Sequence, residues 1–177
     1  VFSEEFYYDL YNATRGNPFF IVETLKNLQA NEKIILKNGS WIDLDIDFQI
    51  DVPERVEDIF IRRLSRLNEA ERDVLQVAAV IGYKFDPVLL SYITEMKKLD
   101  VLKILKKMEK SFEIVKGTDR DYKFEHPLLA DLLYQELSSA MVKEYHLLIA
   151  GQMRKIYKED YGSLIGEVAE HFRKGGQ

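Results

Sequence analysis

The residues of this chain that could do chemistry are few and widely spaced. Histidines stand at 126, 146 and 171, far apart and each on a different predicted helix. That is a poor arrangement for a zinc site, whose donors must converge on one ion. Cysteine is absent, which excludes disulfides, thiol catalysis and cysteine-ligated metals. There is no G-x-x-x-x-G-K-[ST] or G-x-G-x-x-G loop to cradle a phosphate, and no H-E-x-x-H or G-x-S-x-G to hold a metal or a nucleophile. Carboxylates are numerous but scattered, the pattern of a solvated face rather than of an acid–base pair. No catalytic residue and no metal site is predicted. Any part in catalysis would be an accessory part in a site supplied from elsewhere.

Three stretches carry more specific chemistry. In "ATRGNPFFIVETL", Gly16, Asn17 and Pro18 interrupt two helical patterns. Capping accounts for all three: glycine in a left-handed position after one helix, asparagine as N-cap of the next, proline as its first residue. In "FEHPLLADLLYQEL", Pro127 opens a helix and His126 takes the cap position. The stretch "KKLDVLKILKKMEK" carries Lys97, Lys98, Lys103, Lys106, Lys107 and Lys110 against Asp100 and Glu109. A basic helix entering a DNA groove is one reading. A solvated face opposite Leu102, Leu105 and Met108 is the other, and it is favoured because no Asn, Gln or Arg on that helix can read a base edge bidentately.

The elements that position these residues follow from periodicity and punctuation. A helix is predicted over 3–15 with Phe6, Leu10 and Ala13 inward, and a second from Asn17 to about Ala30 with Phe19, Val22, Leu25 and Leu28 inward. Asn38-Gly39 between two β-rich runs predicts a hairpin with strands at 33–36 and 40–44. Pro53 starts a helix through Leu67, with Val56, Ile59 or Phe60, Leu64 and Leu67 inward. Asn68 then caps another, whose stripe is Val74, Leu75, Ala78 and Ile81 and whose stop is Gly82. Asp86-Pro87 opens a short helix to Ile93, and a further helix covers 97–110. Strands follow at 112–115 and 121–125. The succession of helices closed by a hairpin is the order of a winged helix. Helices from Pro127, over 139–159 and over 163–174 complete a mainly α chain.

With 46% hydrophobic and 31% charged residues, the composition is that of a globular protein with a sizeable core. No apolar run approaches the roughly 18 residues of a membrane span, and the acidic, aromatic start "VFSEEFYYDLYN" lacks the pattern of a secretory signal. A cytoplasmic location is expected. A net charge of −5 argues against non-specific nucleic-acid binding by the whole chain. The absence of an initiator Met is expected of a fragment of a longer chain.

"GNPFFIVETLKNL", the hairpin with Trp41, "VPERVEDIFIRRLSRLNEAERDVLQVAAVIGYKFD" and "YKFEHPLLADLLYQEL", in that order, resemble the C-terminal half of the ATPase module of STAND ATPases. These are the signal-transduction branch of AAA+ proteins, which includes LuxR-type and maltose-activator-like regulators and ATPases fused to adenylate cyclases; NB-ARC proteins are more distant relatives. The resemblance covers nearly the whole chain and is clearest at 15–28, 52–82 and 122–138. It implies a helical lid with a β-hairpin (1–50), a winged-helix domain (51–138) and the first helices of a tetratricopeptide-like array (139–177). It further implies ATP or ADP as cofactor, held mainly by an upstream P-loop domain, a downstream helical-repeat sensor, and a protein partner or oligomer. Gly16, Asn17 and Pro18 match the family's Gly-x-Pro step, whose proline lies near adenine and sugar. His126 matches the histidine of a Met-His-Asp signature that reaches the β-phosphate of ADP, with Glu125 and Pro127 replacing the Met and Asp. The expected function is a regulatory segment of a nucleotide-switched signalling ATPase. The alternatives are a DNA-binding winged helix using Lys103, Lys106, Lys107 and Lys110, and a protein-interaction scaffold formed by the last helices.

Overall fold

Helix starts in this protein follow the capping chemistry of the sequence. The structure, a computed structural model describing residues 2–37, 39–43, 56–157 and 161–176, is mainly helical with two small antiparallel sheets. It divides into two compact units, Val1–Ile59 and Phe60–Gln177. The expected boundary at 50/51 and the helix start at Pro53 lie outside the described residues.

In the first unit, Ser3 caps α1 (Glu4–Thr14) and Asn17 caps α2 (Pro18–Ala30). The hairpin strands β1 (Ile34–Lys37) and β2 (Ser40–Asp43) pair with Leu36 opposite Trp41. Phe6, Leu10, Leu28 and Ile34 form the core, with Phe2, Ile21 and Leu25 packed against it. Two inward faces differ from expectation. On α1 the third buried position is Thr14, not Ala13, because its hydroxyl donates to the Leu10 carbonyl (2.7 Å) and needs no water. On α2 the inward row is Ile21, Thr24, Leu25 and Leu28, while Phe19 and Val22 are 37% and 49% exposed. Apolar residues run unbroken from 19 to 22, so periodicity alone left the face undetermined, and packing against α1 chose it.

The boundary between the units falls within α3 (Val56–Leu64), which ends three residues earlier than expected; Phe60, Leu64 and Leu67 are buried as expected. Helix α4 (Glu69–Ile81) begins with a complete capping box: Asn68 accepts from the Glu71 N–H, and Glu71 accepts from the Asn68 N–H. Val74, Leu75 and Ala78 of the expected stripe are buried but Ile81 is only half-buried, and the face adds Val77, Ala79 and Val80, because the helix packs on both α7 (Pro127–Gln135) and α8 (Ser139–Ile156). Helix α5 (Pro87–Ile93) is capped by Asp86, and α6 (Lys98–Ser111) buries Val101, Leu105 and Met108, with Leu102 only half-buried.

The second sheet contains a strand absent from the expectation: β3 (Lys84–Phe85) joins β4 (Val115–Gly117) and β5 (Tyr122–Phe124) in the order β3-β5-β4. Strand β4 starts three residues later than expected, because α6 runs on to Ser111 and Glu113 then turns the chain at φ 50°. The last helix, α9 (Tyr161–Gly175), packs on α8. Among the described residues, no helix is long and apolar enough to cross a membrane.

Candidate functional site

The Gly16-Asn17-Pro18 corner is built by backbone conformation. Arg15 (φ 52°) and Gly16 (φ 72°) are both left-handed, so the reversal expected at Gly16 begins one residue earlier. A Cβ on Gly16 would come within 3.2 Å of the ring of the exposed Tyr11, a tight contact that a small shift of that side chain relieves, so it is the positive φ that favours glycine here. The Asn17 N–H donates to the Thr14 carbonyl (3.0 Å), its side-chain oxygen accepts from the Phe19 N–H (3.0 Å), and its carbonyl accepts from the Ile21 N–H (3.0 Å). Asn17 and Pro18 are themselves exposed. The corner is a rigid surface feature whose proline ring faces no competing backbone donor of its own.

His126 caps α7. Its Nδ1 accepts from the Leu128 N–H at 3.2 Å, and its ring packs 5.1 Å from that of Phe60. The buried Phe60 also has the Arg63 guanidinium 5.7 Å from its centroid, so a cation and the exposed imidazole both pack against one aromatic ring. An Nδ1 that accepts leaves the proton of the neutral ring on Nε2. The exposed imidazole therefore presents an N–H donor at the positive end of a helix, which suits an anionic oxygen.

The lysines of α6 are exposed, but two are already engaged. Lys107 donates to Oε1 of Glu71 on α4 (2.5 Å) and lies over the Phe112 ring, and Lys103 pairs with Asp100 (3.1 Å). Lys106 and Lys110 are exposed. A separate row of lysines arises in the sheet: Lys84 and Lys116 each stand opposite Lys123. Lys84 is tied to Asp121 at 2.7 Å, which holds its ammonium pKa above the ordinary lysine value.

The structure brings together two of the histidines that sequence spacing kept apart. His146 on α8 and His171 on α9 are buried, with their Nδ1 atoms 2.7 Å from each other. The Tyr134 hydroxyl on α7 lies 3.2 Å from Nε2 of His146. His126 is not part of this cluster. A signal for it existed: His146, Ile149, Ala150 and Met153 follow helical spacing, as do Val168 and His171, and a short connection makes consecutive helices antiparallel neighbours. Among the described residues, no group of three or more His, Asp or Glu is arranged to hold a metal ion. Beside His171 opens a cleft of about 730 Å³. Its wall includes the Tyr157 hydroxyl, which donates to the carboxylate of Asp86 and has its pKa pushed well up by burial and by that carboxylate.

No known protein-family model matches the chain, and no curated protein sequence matches it.

Proposed function

We propose that this chain is the lid, winged-helix and first-repeat segment of a STAND-type signalling ATPase, coupling ATP or ADP bound by an upstream P-loop domain to a downstream helical-repeat sensor. The observation that carries the reading is His126. Its cap hydrogen bond commits Nδ1 to the backbone and leaves Nε2–H as an exposed donor at a helix N-terminus, the chemistry a phosphate oxygen requires. The exposed Pro18 ring behind a left-handed Gly16 is consistent with an apolar contact to base and sugar. The element order α4, β3, α5, α6, β4, β5 supports a winged helix at the centre of the chain. Met141, Leu148 and Ile165, exposed on the last two helices, support a following repeat that covers them. The DNA-binding alternative draws less support, because Lys103 and Lys107 are paired with carboxylates.

The test separates capping from ligand contact. In a parent chain that includes the P-loop domain, His126→Asn keeps a good N-cap while removing the imidazole. Calorimetry with ADP is expected to show affinity lowered about 10- to 100-fold, the equivalent of one charge-assisted hydrogen bond, with the melting temperature nearly unchanged. Unchanged ADP affinity overturns the reading.

A further inference from the structure

We propose that His146 and His171 form a proton-operated latch: the pair holds α9 on α8 while both rings are neutral and releases it when they take up protons.

The two rings face each other through Nδ1, 2.7 Å apart, and the Tyr134 hydroxyl lies 3.2 Å from Nε2 of His146. Between two neutral imidazoles one Nδ1 carries the proton and the other accepts it, so the contact is satisfied with both rings uncharged. The Tyr134 hydroxyl donates to Nε2 of His146 or accepts from it, as the tautomer requires. The cluster ties α7 and α8 to α9.

Protons disrupt it in two steps. A first proton still leaves a single N–H between the two rings, and the Tyr134 hydroxyl serves His146 Nε2 as donor or acceptor. The cost is an imidazolium in a site where the two residues are 1% and 7% exposed. A second proton sets two N–H groups against each other at 2.7 Å, which no tautomer relieves. The surroundings offer little compensation. On α9, Lys174 opposes a positive charge on either ring; Glu170 favours one but is already held by Arg173 and Lys174. On α7 the facing group is Tyr134, and on α4 it is the Ile81 carbonyl, with Asp73 acting nearer Tyr145. At α5 Asp86 is occupied by Tyr157, and Glu167 of α9 faces the cleft. Burial accordingly holds both rings below the ordinary histidine value of 6.5, His171 at about 4.

The sign follows directly. The released state binds protons from 6.5 downward and the docked state only near 4, so docking is complete above 6.5 and weakens as the pH falls between the two values. For one ring the released fraction grows about tenfold per pH unit, roughly 300-fold across that window.

The test is amide hydrogen exchange on the 177-residue chain between pH 7.5 and 4.5, corrected for intrinsic rates. Amides of 165–174 are expected to lose protection about tenfold per unit below pH 6.5 relative to amides of 101–108. Protection that falls in parallel in both segments overturns the proposal. The double variant His146→Leu with His171→Leu is expected to keep α9 docked and abolish the excess slope; a persisting slope overturns it. Gly175→Ala gives an independent check that leaves both histidines in place. Its Cβ would meet Leu147 at 2.5 Å, so it should loosen α9 by a constant factor at every pH. A slope removed by Gly175→Ala overturns the proposal.

Discussion

The ammonium of Lys107 lies 2.5 Å from Oε1 of Glu71, while the other oxygen of that carboxylate accepts from the Asn68 N–H at 3.1 Å. A lysine of α6 thus braces the capping box of α4 and joins the two helices through a carboxylate whose side chain is only 7% exposed.

Removing that lysine leaves the buried carboxylate one partner short. Burial pushes the Glu71 pKa up, but Lys107 and the Asn68 N–H outweigh it and hold the carboxyl below its ordinary 4.5. Lys107→Met is expected to lower stability by about 1–2 kcal/mol in urea unfolding, the lower part of the range for a charged pair because the lysine is half-exposed. A depressed folded-state pKa contributes fully above the unfolded value and is lost as the pH falls through the folded one. The difference between wild type and variant is therefore expected to shrink as the pH falls below the ordinary carboxyl value of 4.5. A difference independent of pH would show that Lys107 acts through packing alone.

Two helices end in a Schellman arrangement with glutamate where glycine is easiest. After α2, Glu32 (φ 55°) and Lys33 donate to the Gln29 and Leu28 carbonyls. After α5, Glu95 (φ 53°) precedes Met96, whose N–H donates to Ser91. A left-handed residue with a Cβ costs roughly 1–2 kcal/mol, and glycine returns part of that gain as unfolded-state entropy. Glu32→Gly and Glu95→Gly are each expected to stabilise by about 0.5–1 kcal/mol, read from the denaturant midpoint. A loss of stability in either would mean that its carboxylate does more than terminate a helix.

These glutamates also show where the sequence is legible and where it is not. Ser3, Asn17, Asn68, Asp86 and Ser138 all cap through their side chains, because a cap is decided by a residue and its next three neighbours. Helix ends at Glu32, Glu95 and Glu113 carry no such mark, since glutamate is ordinary within a helix. The inward face of α2 depended on α1, and β3 consists of two residues that become a strand only through pairing with β5. His126 was visible as a cap before proline. The His146–His171 contact spans 25 residues, so separation along the chain concealed it while helical phase contained it.

Tyr157 anchors the end of α8 to the start of α5. Its hydroxyl donates to one oxygen of Asp86, whose other oxygen accepts from the Val88 N–H at 2.6 Å. Tyr157→Phe removes one of two bonds to a partly buried carboxylate and is expected to cost about 1–2 kcal/mol. Asp86→Ala removes that bond and the cap together and should cost more. In the double variant the two losses should fall short of their sum by about 1 kcal/mol, because the shared bond is counted only once. Additive losses in calorimetric unfolding would mean that the residues stabilise the fold independently.

The outer face of the three-stranded sheet holds the last test. Lys116 on β4 and Lys84 on β3 both stand opposite Lys123 on the central strand β5, and the Asp121 carboxylate is paired with Lys84. Directly opposed like charges on antiparallel strands destabilise by roughly 0.2–1 kcal/mol, and opposite charges stabilise by a similar amount. Lys116→Glu turns a repulsive pair into an attractive one and is expected to raise stability by about 0.5–1 kcal/mol at low salt. At about 1 M salt most of the gain should vanish, because the Debye length falls to roughly 3 Å. Lys116→Gln should give a smaller gain with a weaker salt dependence, having removed the repulsion without adding attraction. If Lys116→Glu instead destabilises the domain at every salt concentration, the lysine row contributes packing along its methylene stems that outweighs the repulsion between its heads.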